Sequence, residues 1–517
     1  MKNFFAIVFV IFIGLLLYTS ALRGEIGNPL VDKGMTKLSK ATGPFESSHE
    51  RAPYALLVSL VERGSFELTQ DLANFASPDT VFSGEKYFII FPPGVSLVAM
   101  PFYLLAKEYH LAQLSTYAGM TMFAILNLVL IYLIAKNIFR LSIGYAILSA
   151  MVFGFATTSW SFAASLYQHH LTVLLILISY YSVWKYALNM QKWLWTIVPW
   201  TVMGLSIWLD YPSVLLLIPV FLYLFLKSLK IYNAKKKLNI IFNFNAYLGI
   251  LVFFALVGVH LYYNKVNFGS PTVLAQFLKR YDSSKVQDQA VQPPTKQTIE
   301  ETIKKKSTFS NLFQENRIIT GLYTLTVASD KGLFYFSPIL ILAILGIFTI
   351  YRKSNKYRLE AGILISVFLL NLFMYSSWSE PWGGWAFGPR YLIPAMAVMS
   401  VFPFIWLDRN NNKIRAKLIT FVLFCYSSFI SLLGVLTTTA TPPKVEAVYL
   451  KIKYGFFLNW DYFMDGRSGS FVFNEFVSKH INLQQYFILI YIPLILIVFI
   501  LLFIVPLLNR KQISKKI

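Results

Sequence analysis

Charge is sorted along this chain. Long apolar stretches follow one another, and the short connections between alternate stretches are basic with almost no acid. Lys136 and Arg140 lie in the first such connection, Lys185 and Lys192 in the second, and Lys227, Lys230 and Lys235 to Lys237 in the third. Arg352, Lys353, Lys356 and Arg358 follow, then Arg409, Lys413, Arg415 and Lys417, and last Arg510, Lys511, Lys515 and Lys516. Glu360 and Asp408 accompany them, and every other Asp and Glu falls in the opposite set of connections. The positive-inside rule produces this pattern and places the basic loops in the cytoplasm. Carboxylates gathered on one face predict that the work is done on that face.

Only 14% of the 517 residues are charged and 56% are hydrophobic, against about 25% charged in soluble domains. The chain reads as a multi-pass protein of the cytoplasmic membrane. Its formal charge of +22 is dispersed through short loops beside hydrophobic stretches. That dispersion fits topology and membrane lipid head groups rather than nucleic acid. The single cysteine, Cys425, lies inside an expected span and permits no intrachain disulfide.

About twelve spans are expected, all helical, because a helix satisfies its own backbone hydrogen bonds in lipid. They fall near 4–22, 112–135, 143–163, 169–187, 193–209, 212–229, 245–264, 334–351, 360–378, 391–407, 416–438 and 486–508. The first is read as a retained helix, since its length suits the roughly 20 residues of a bilayer span better than a signal peptide. Both termini are then cytoplasmic. The fold class is all-α and polytopic, with surface helices in a large first outer loop. A module over 1–410 includes that loop, 23–111; C-terminal helices over 411–517 carry an outer loop at 440–485. A third long outer segment spans 265–333, and its hydrophilic middle, near 280–310, is expected to be mobile.

Pro53 suits a first helical turn, Leu56, Leu57, Leu60 and Val61 share a face, and Gly64 suits the helix end. An amphipathic helix on the outer membrane surface is expected there. The apolar stretch Phe88–Ala106 contains Pro92, Pro93, Gly94 and Pro101. These residues would leave backbone groups unsatisfied in lipid. A span here would also turn every later basic loop outward. It is therefore read as a surface or partly inserted helix that returns to the same side.

The signatures of nucleotide-driven and common hydrolytic enzymes are missing: no Walker loop, dinucleotide fingerprint, HExxH or Gly-x-Ser-x-Gly occurs. Three outer features remain. Glu46 and Glu50 precede the first surface helix, and Asp71, Asp79 and Glu85 follow it. Partial burial would raise such a carboxylate's pKa toward that of a useful base; the plain alternative is a solvated loop. The run Trp378–Tyr391 packs Trp378, Trp382, Trp385, three glycines and Arg390 into one turn. Arg390 is suited to bidentate phosphate binding, or to snorkelling from an aromatic anchor. His169 and His170 open a span; as neighbours on a helix they point apart, which disfavours joint metal binding, and no metal site or cofactor is expected. Asp210 either faces the same region or caps the helix after it. Lys86, Lys331 and Arg51 are further outer cations.

The order of these features resembles the GT-C superfamily of membrane glycosyltransferases, which includes protein O-mannosyltransferases and aminoarabinose transferases. The likeness rests on Ala55–Leu68 (ALLVSLVERGSFEL), Gly84–Ala106 (GEKYFIIFPPGVSLVAMPFYLLA), Asn264–Pro271 (NKVNFGSP), Lys331–Pro338 (KGLFYFSP) and Gly383–Pro394 (GGWAFGPRYLIP). It covers roughly residues 1–410, and the last spans are generic. The resemblance implies inverting transfer of a sugar from a polyprenyl-phosphate carrier to a lipid, glycan or protein acceptor outside the cytoplasm. It also implies a first-loop carboxylate as base and cations on the lipid phosphate. Many members carry two adjacent acids before the first surface helix, where this chain has His49-Glu50. The resemblance therefore points to Glu50, or Glu46, as base. It points to Arg390, with Lys86 or Lys331, for the phosphate, and to Trp382, Trp385, His169, His170 and Asp210 around the substrate. A transporter or lipid flippase, a ligase using a diphosphate-linked glycan, and a non-catalytic scaffold are the alternatives.

Overall fold

The structure, a computed structural model, describes residues 1–27, 45–234, 237–281, 313–353, 356–410 and 413–507. Most of the hydrophilic stretch near 280–310, Lys235, Lys236 and the C-terminal basic group lie outside the described residues. Among the described residues, nine helices are long and apolar enough to cross a bilayer, and three shorter apolar helices fall at the other expected spans.

Helix α1 (Lys2–Ser20) leads to α2 (Ser48–Arg63), α3 (Gln70–Ala76), strands β1 (Thr80–Ser83) and β2 (Lys86–Ile89), and α4 (Gly94–Ala106). Then come α5 (Ala112–Ile138), α6 (Ile143–Phe155), α7 (His169–Leu188), α8 (Trp193–Leu209) and α9 (Tyr211–Ser228). Strands β3 (Leu229–Ala234) and β4 (Lys237–Phe242) precede α10 (Phe244–Phe268), and β5 (Arg280–Tyr281) follows it. The remaining helices are α11 (Ile318–Thr326), α12 (Pro338–Arg352), α13 (Arg358–Ser376), α14 (Arg390–Arg409), α15 (Ile414–Leu436), α16 (Lys444–Leu450), α17 (Phe456–Met464) and α18 (Leu483–Leu507). The spans pack as one helical bundle, and the chain is a multi-pass membrane protein. Connections alternate between a basic end and an opposite end that carries the long segments. At the basic end the acid Glu360 accepts hydrogen bonds from Lys227 Nζ (3.0 Å) and the Tyr223 hydroxyl (3.2 Å), so its charge is paired.

Two features differ from the sequence reading. A small antiparallel sheet, ordered β2–β1–β5, pairs Thr80 with Ile89 on one side and Tyr281 on the other, tying the first long segment to the second. A second hairpin, β3–β4, forms where a plain basic loop was expected. Alternation over four to six residues is a weak signal beside the continuous apolar runs, which masks it.

Helix α2 starts where Ser47 accepts a hydrogen bond from the His49 N–H (3.2 Å), and it ends at Gly64 in the left-handed region (φ +63°). It is not an amphipathic helix with one wet face. Residues Ala52 to Ser59 are buried all round, because α3 and α4 cover it; Ser96 on α4 donates to the Pro53 carbonyl at 2.7 Å. Helix α4, 13 residues long, begins at Gly94 against Trp208, near the end of α8, and ends beside the start of α5, where Ser115 donates to the Phe102 carbonyl (2.7 Å). It returns to its own side as expected. Gly94 permits this docking, since a Cβ there would stand 2.3 Å from the Trp208 carbonyl oxygen. Gly94→Ala is expected to lower stability by about 1–3 kcal/mol through backbone displacement, read as a fall in the detergent-solubilised melting temperature.

Candidate active site

At the end opposite the basic connections, five stretches of chain meet. They are the start of α2, the turn after α3, the loop into α7, the α8–α9 turn and the start of α14. Glu50, in the first turn of α2, is 1% exposed. Burial pushes its carboxyl up to about 8; Arg23, a backbone hydrogen bond from Leu166 and Arg390 oppose that rise, and Glu46 adds to it. One of its oxygens, Oε2, has no hydrogen-bond partner among the described residues. Arg390 is buried too, held between the rings of Tyr167 (5.1 Å) and Tyr391 (5.2 Å). Gly383 (φ +70°) lets the chain pass close beside it, since a Cβ there would lie 3.1 Å from the Arg390 Nε. That Nε and the His169 Nε2 are likewise unpartnered.

The surroundings fix these groups. His49 stacks on Tyr167 (4.9 Å, 17°), packs on Phe91, and shares a hydrogen bond with Gln168 Oε1 (3.1 Å). Burial, then the Arg390 charge, hold its imidazole down to about 3, so it stays neutral. Gln168 also hydrogen-bonds Asp210, whose carboxyl burial pushes up to about 7 against the pull of Gln168 and Arg390. Asp210 thus stands in the site; although it precedes α9, its side chain makes no capping bond. Asp79 accepts from Ser48 (2.7 Å); burial raises its pKa, opposed by Ser48, Arg280, Arg390 and Arg51.

The other expected residues lie apart from this core. Glu46 is a clamp: its Oε2 accepts from Arg23 Nη1 (3.0 Å) and from the backbone N–H (2.7 Å) and hydroxyl (2.8 Å) of Thr439. Arg23 also donates to the Thr437 carbonyl (3.2 Å). Lys331 is fully buried and donates to the carbonyls of Ala386 and of Thr441 (3.2 Å), bracing the Arg390 loop from behind; burial lowers it to about 7. Lys86 pairs with Glu67 (3.0 Å) at the surface. Trp382 lies by Arg317, and Trp385 donates to Glu446. His170 turns away from His169, to the Ser159 carbonyl (2.9 Å) and Asn127. Asp79 was among the carboxylates weighed, whereas His49, Tyr167, Gln168, Tyr391 and Arg23 were not among the expected site residues.

Among the described residues, no three His, Cys, Asp or Glu side chains are grouped as metal ligands. No protein-family model matches the sequence, and no curated protein matches it. Solved structures do. The chain is similar to ArnT from Cupriavidus metallidurans bound to undecaprenyl phosphate, at TM-score 0.51 and 12% identity over 96% of this chain and 76% of that one. The chain has the GT-C fold. Apo ArnT (TM-score 0.48, 13% identity, 97% and 77% covered) and the archaeal oligosaccharyltransferase AglB from Archaeoglobus fulgidus (0.45, 13%, 87% and 58%) are weaker matches.

The two glutamates are expected to separate on stability. The Arg23 and Glu46 side chains are each 2% exposed, and removing one partner of such a buried pair typically costs about 3–5 kcal/mol. Arg23→Ala should therefore fall sharply in melting temperature. Glu50 has its pKa raised, so ionising it opposes folding: stability declines as pH rises from the unfolded carboxyl value through about 8. Glu50→Gln should match or exceed the parent in melting temperature at pH 8 and flatten that decline.

Proposed function

We propose that this protein is an inverting glycosyltransferase that moves a sugar from a polyprenyl-phosphate carrier to an acceptor hydroxyl on the extracytoplasmic face of the cytoplasmic membrane. The observation that carries the reading is the burial of Glu50 and Arg390 near enough for the guanidinium charge to act on the carboxyl, at the end opposite the basic connections. The GT-C fold supports it. By the positive-inside rule the basic end and both termini are cytoplasmic, which puts the crevice outside.

In this reading Glu50 takes the proton of the attacking hydroxyl as its oxygen bonds the anomeric carbon. The bond from that carbon to the carrier phosphate breaks, and the electron pair leaves with the phosphate. Arg390 receives the developing charge. Tyr167 and Tyr391 hold the guanidinium in place, and Asp210, Gln168 and His49 line the polar wall where sugar hydroxyls would bind. Lys331 acts through the backbone of the Arg390 loop. The carrier's tail lies between spans. A transporter would place ionisable groups near the bilayer midplane. Among the described residues, every Asp, Glu, Lys and Arg within a span lies close to one of its ends.

Transfer of labelled sugar from polyprenyl phosphate in reconstituted vesicles tests the reading. Glu50→Gln is expected to lose about 10²–10⁴-fold in kcat and Arg390→Ala about 10²–10³-fold, while Lys86→Ala stays near the parent. Full activity in both Glu50→Gln and Glu46→Gln would remove the base assignment.

The parent's rate should climb with pH through about 8 as Glu50 ionises. A rate that stays flat from pH 6 to 9 while chemistry limits turnover would argue against Glu50 as the base.

A further inference from the structure

The segment between α15 and α18 carries an apolar surface that the proposed chemistry does not use. On α17, Phe457, Trp460 and Met464 are exposed at 49%, 41% and 57%. Their spacing of three and four residues places them on one helical face. The opposite face is fixed to the bundle. Asn459 donates to the Thr437 hydroxyl (2.9 Å) and the Thr438 carbonyl (2.7 Å), and Gln484 donates to the Phe463 carbonyl (2.7 Å).

Ring contacts give the depth of this helix. Trp460 meets Phe429 of α15 at 6.3 Å, and Phe463 meets Phe487 of α18 at 5.2 Å. Phe429 lies seven residues before the end of α15 and Phe487 four residues into α18. At 1.5 Å per residue these rings sit about 10 Å and about 6 Å inside the ends of their spans. That range matches the roughly 5–10 Å insertion of interfacial helices. The exposed face also continues a stripe on α15, where Tyr426 and Val422 are exposed one and two turns before Phe429. The charges beside it are paired: Lys453 with Asp461 (2.8 Å), at the edge of this face, and Arg467 with Asp465 (3.2 Å).

We infer that α17 is a membrane-embedded interfacial helix whose Phe457, Trp460 and Met464 face contacts the acyl chains of the leaflet on the site's side. The same segment carries Thr439, which bonds Glu46, and Thr441, whose carbonyl accepts from Lys331. The bilayer thus helps to position the wall of the crevice. The inference needs no assumption about the reaction.

Spin labels test it in full-length protein with Cys425→Ser, reconstituted in vesicles of phosphatidylcholine and phosphatidylglycerol. One label replaces Met464, and a reference label replaces Asp465, whose side chain is 54% exposed in its ion pair. The expected result is high collision with oxygen and low collision with a water-soluble nickel chelate at 464, with the ratio several-fold above that at 465. Equal ratios at the two positions would overturn the proposal. So would low collision with both reagents at 464, the sign of a protein-covered face such as contact with a second copy. Lipids brominated on the acyl chain give an independent reading on the unlabelled chain. They should quench the parent more than Trp460→Phe, and equal quenching would count against insertion.

Discussion

The site depends on a guanidinium that cannot lose its charge. Arg390 is buried at the end of a span, where a stranded cation is costly, and arginine does not deprotonate to escape. Its surroundings meet that cost with two tyrosine rings and with carboxyls and hydrogen-bonding groups drawn from distant parts of the chain. The same field acts back on its neighbours. It helps to keep His49 neutral, and it restrains the rise that burial imposes on Glu50, Asp79 and Asp210. One fixed charge thus sets the protonation of the acids and the imidazole around it.

The two first-loop glutamates show how environment divides like residues. At Glu46 a guanidinium, an N–H and a hydroxyl converge on Oε2 while Oε1 has no partner, and the result ties residues near the end of α1 to the residues after α15. Glu50, one turn further on, is buried with an unpartnered oxygen and a raised pKa. Glu46 meets its cation directly and works as a clamp, whereas burial raises the Glu50 carboxyl toward the range of a useful base. The clamp at Glu46 and the brace at Lys331 hold the frame around Glu50 and Arg390.

Much of the fold was legible because lipid is a severe solvent. Each of the twelve expected spans has a counterpart among the apolar helices, with ends shifted by a few residues, and the proline-rich stretch near Pro92 returns to its own side as expected. The small sheet was not legible, because β5 is two residues long and pairs with a strand some 200 positions earlier. Nor was the burial of α2, whose apolar stripe looked like a membrane-facing one until α4 covered it. Within the site, Arg390, Glu50, His169 and Asp210 are brought together, whereas Lys86, Trp382, Trp385 and His170 find other partners. Residue type alone does not separate these groups.

By itself the sequence determined which segments cross the bilayer, which connections share an end, and that acids and an irreversible cation gather opposite the basic loops. Those properties follow from solvation and need only local composition. The tertiary structure decided which acid is clamped and which is buried with a raised pKa, that His49, Gln168 and Asp210 join in one chain of hydrogen bonds, and that residues after α15 hold Glu46 and Lys331. These depend on contacts of a few ångströms between residues hundreds of positions apart, and the pattern of any one segment does not encode them.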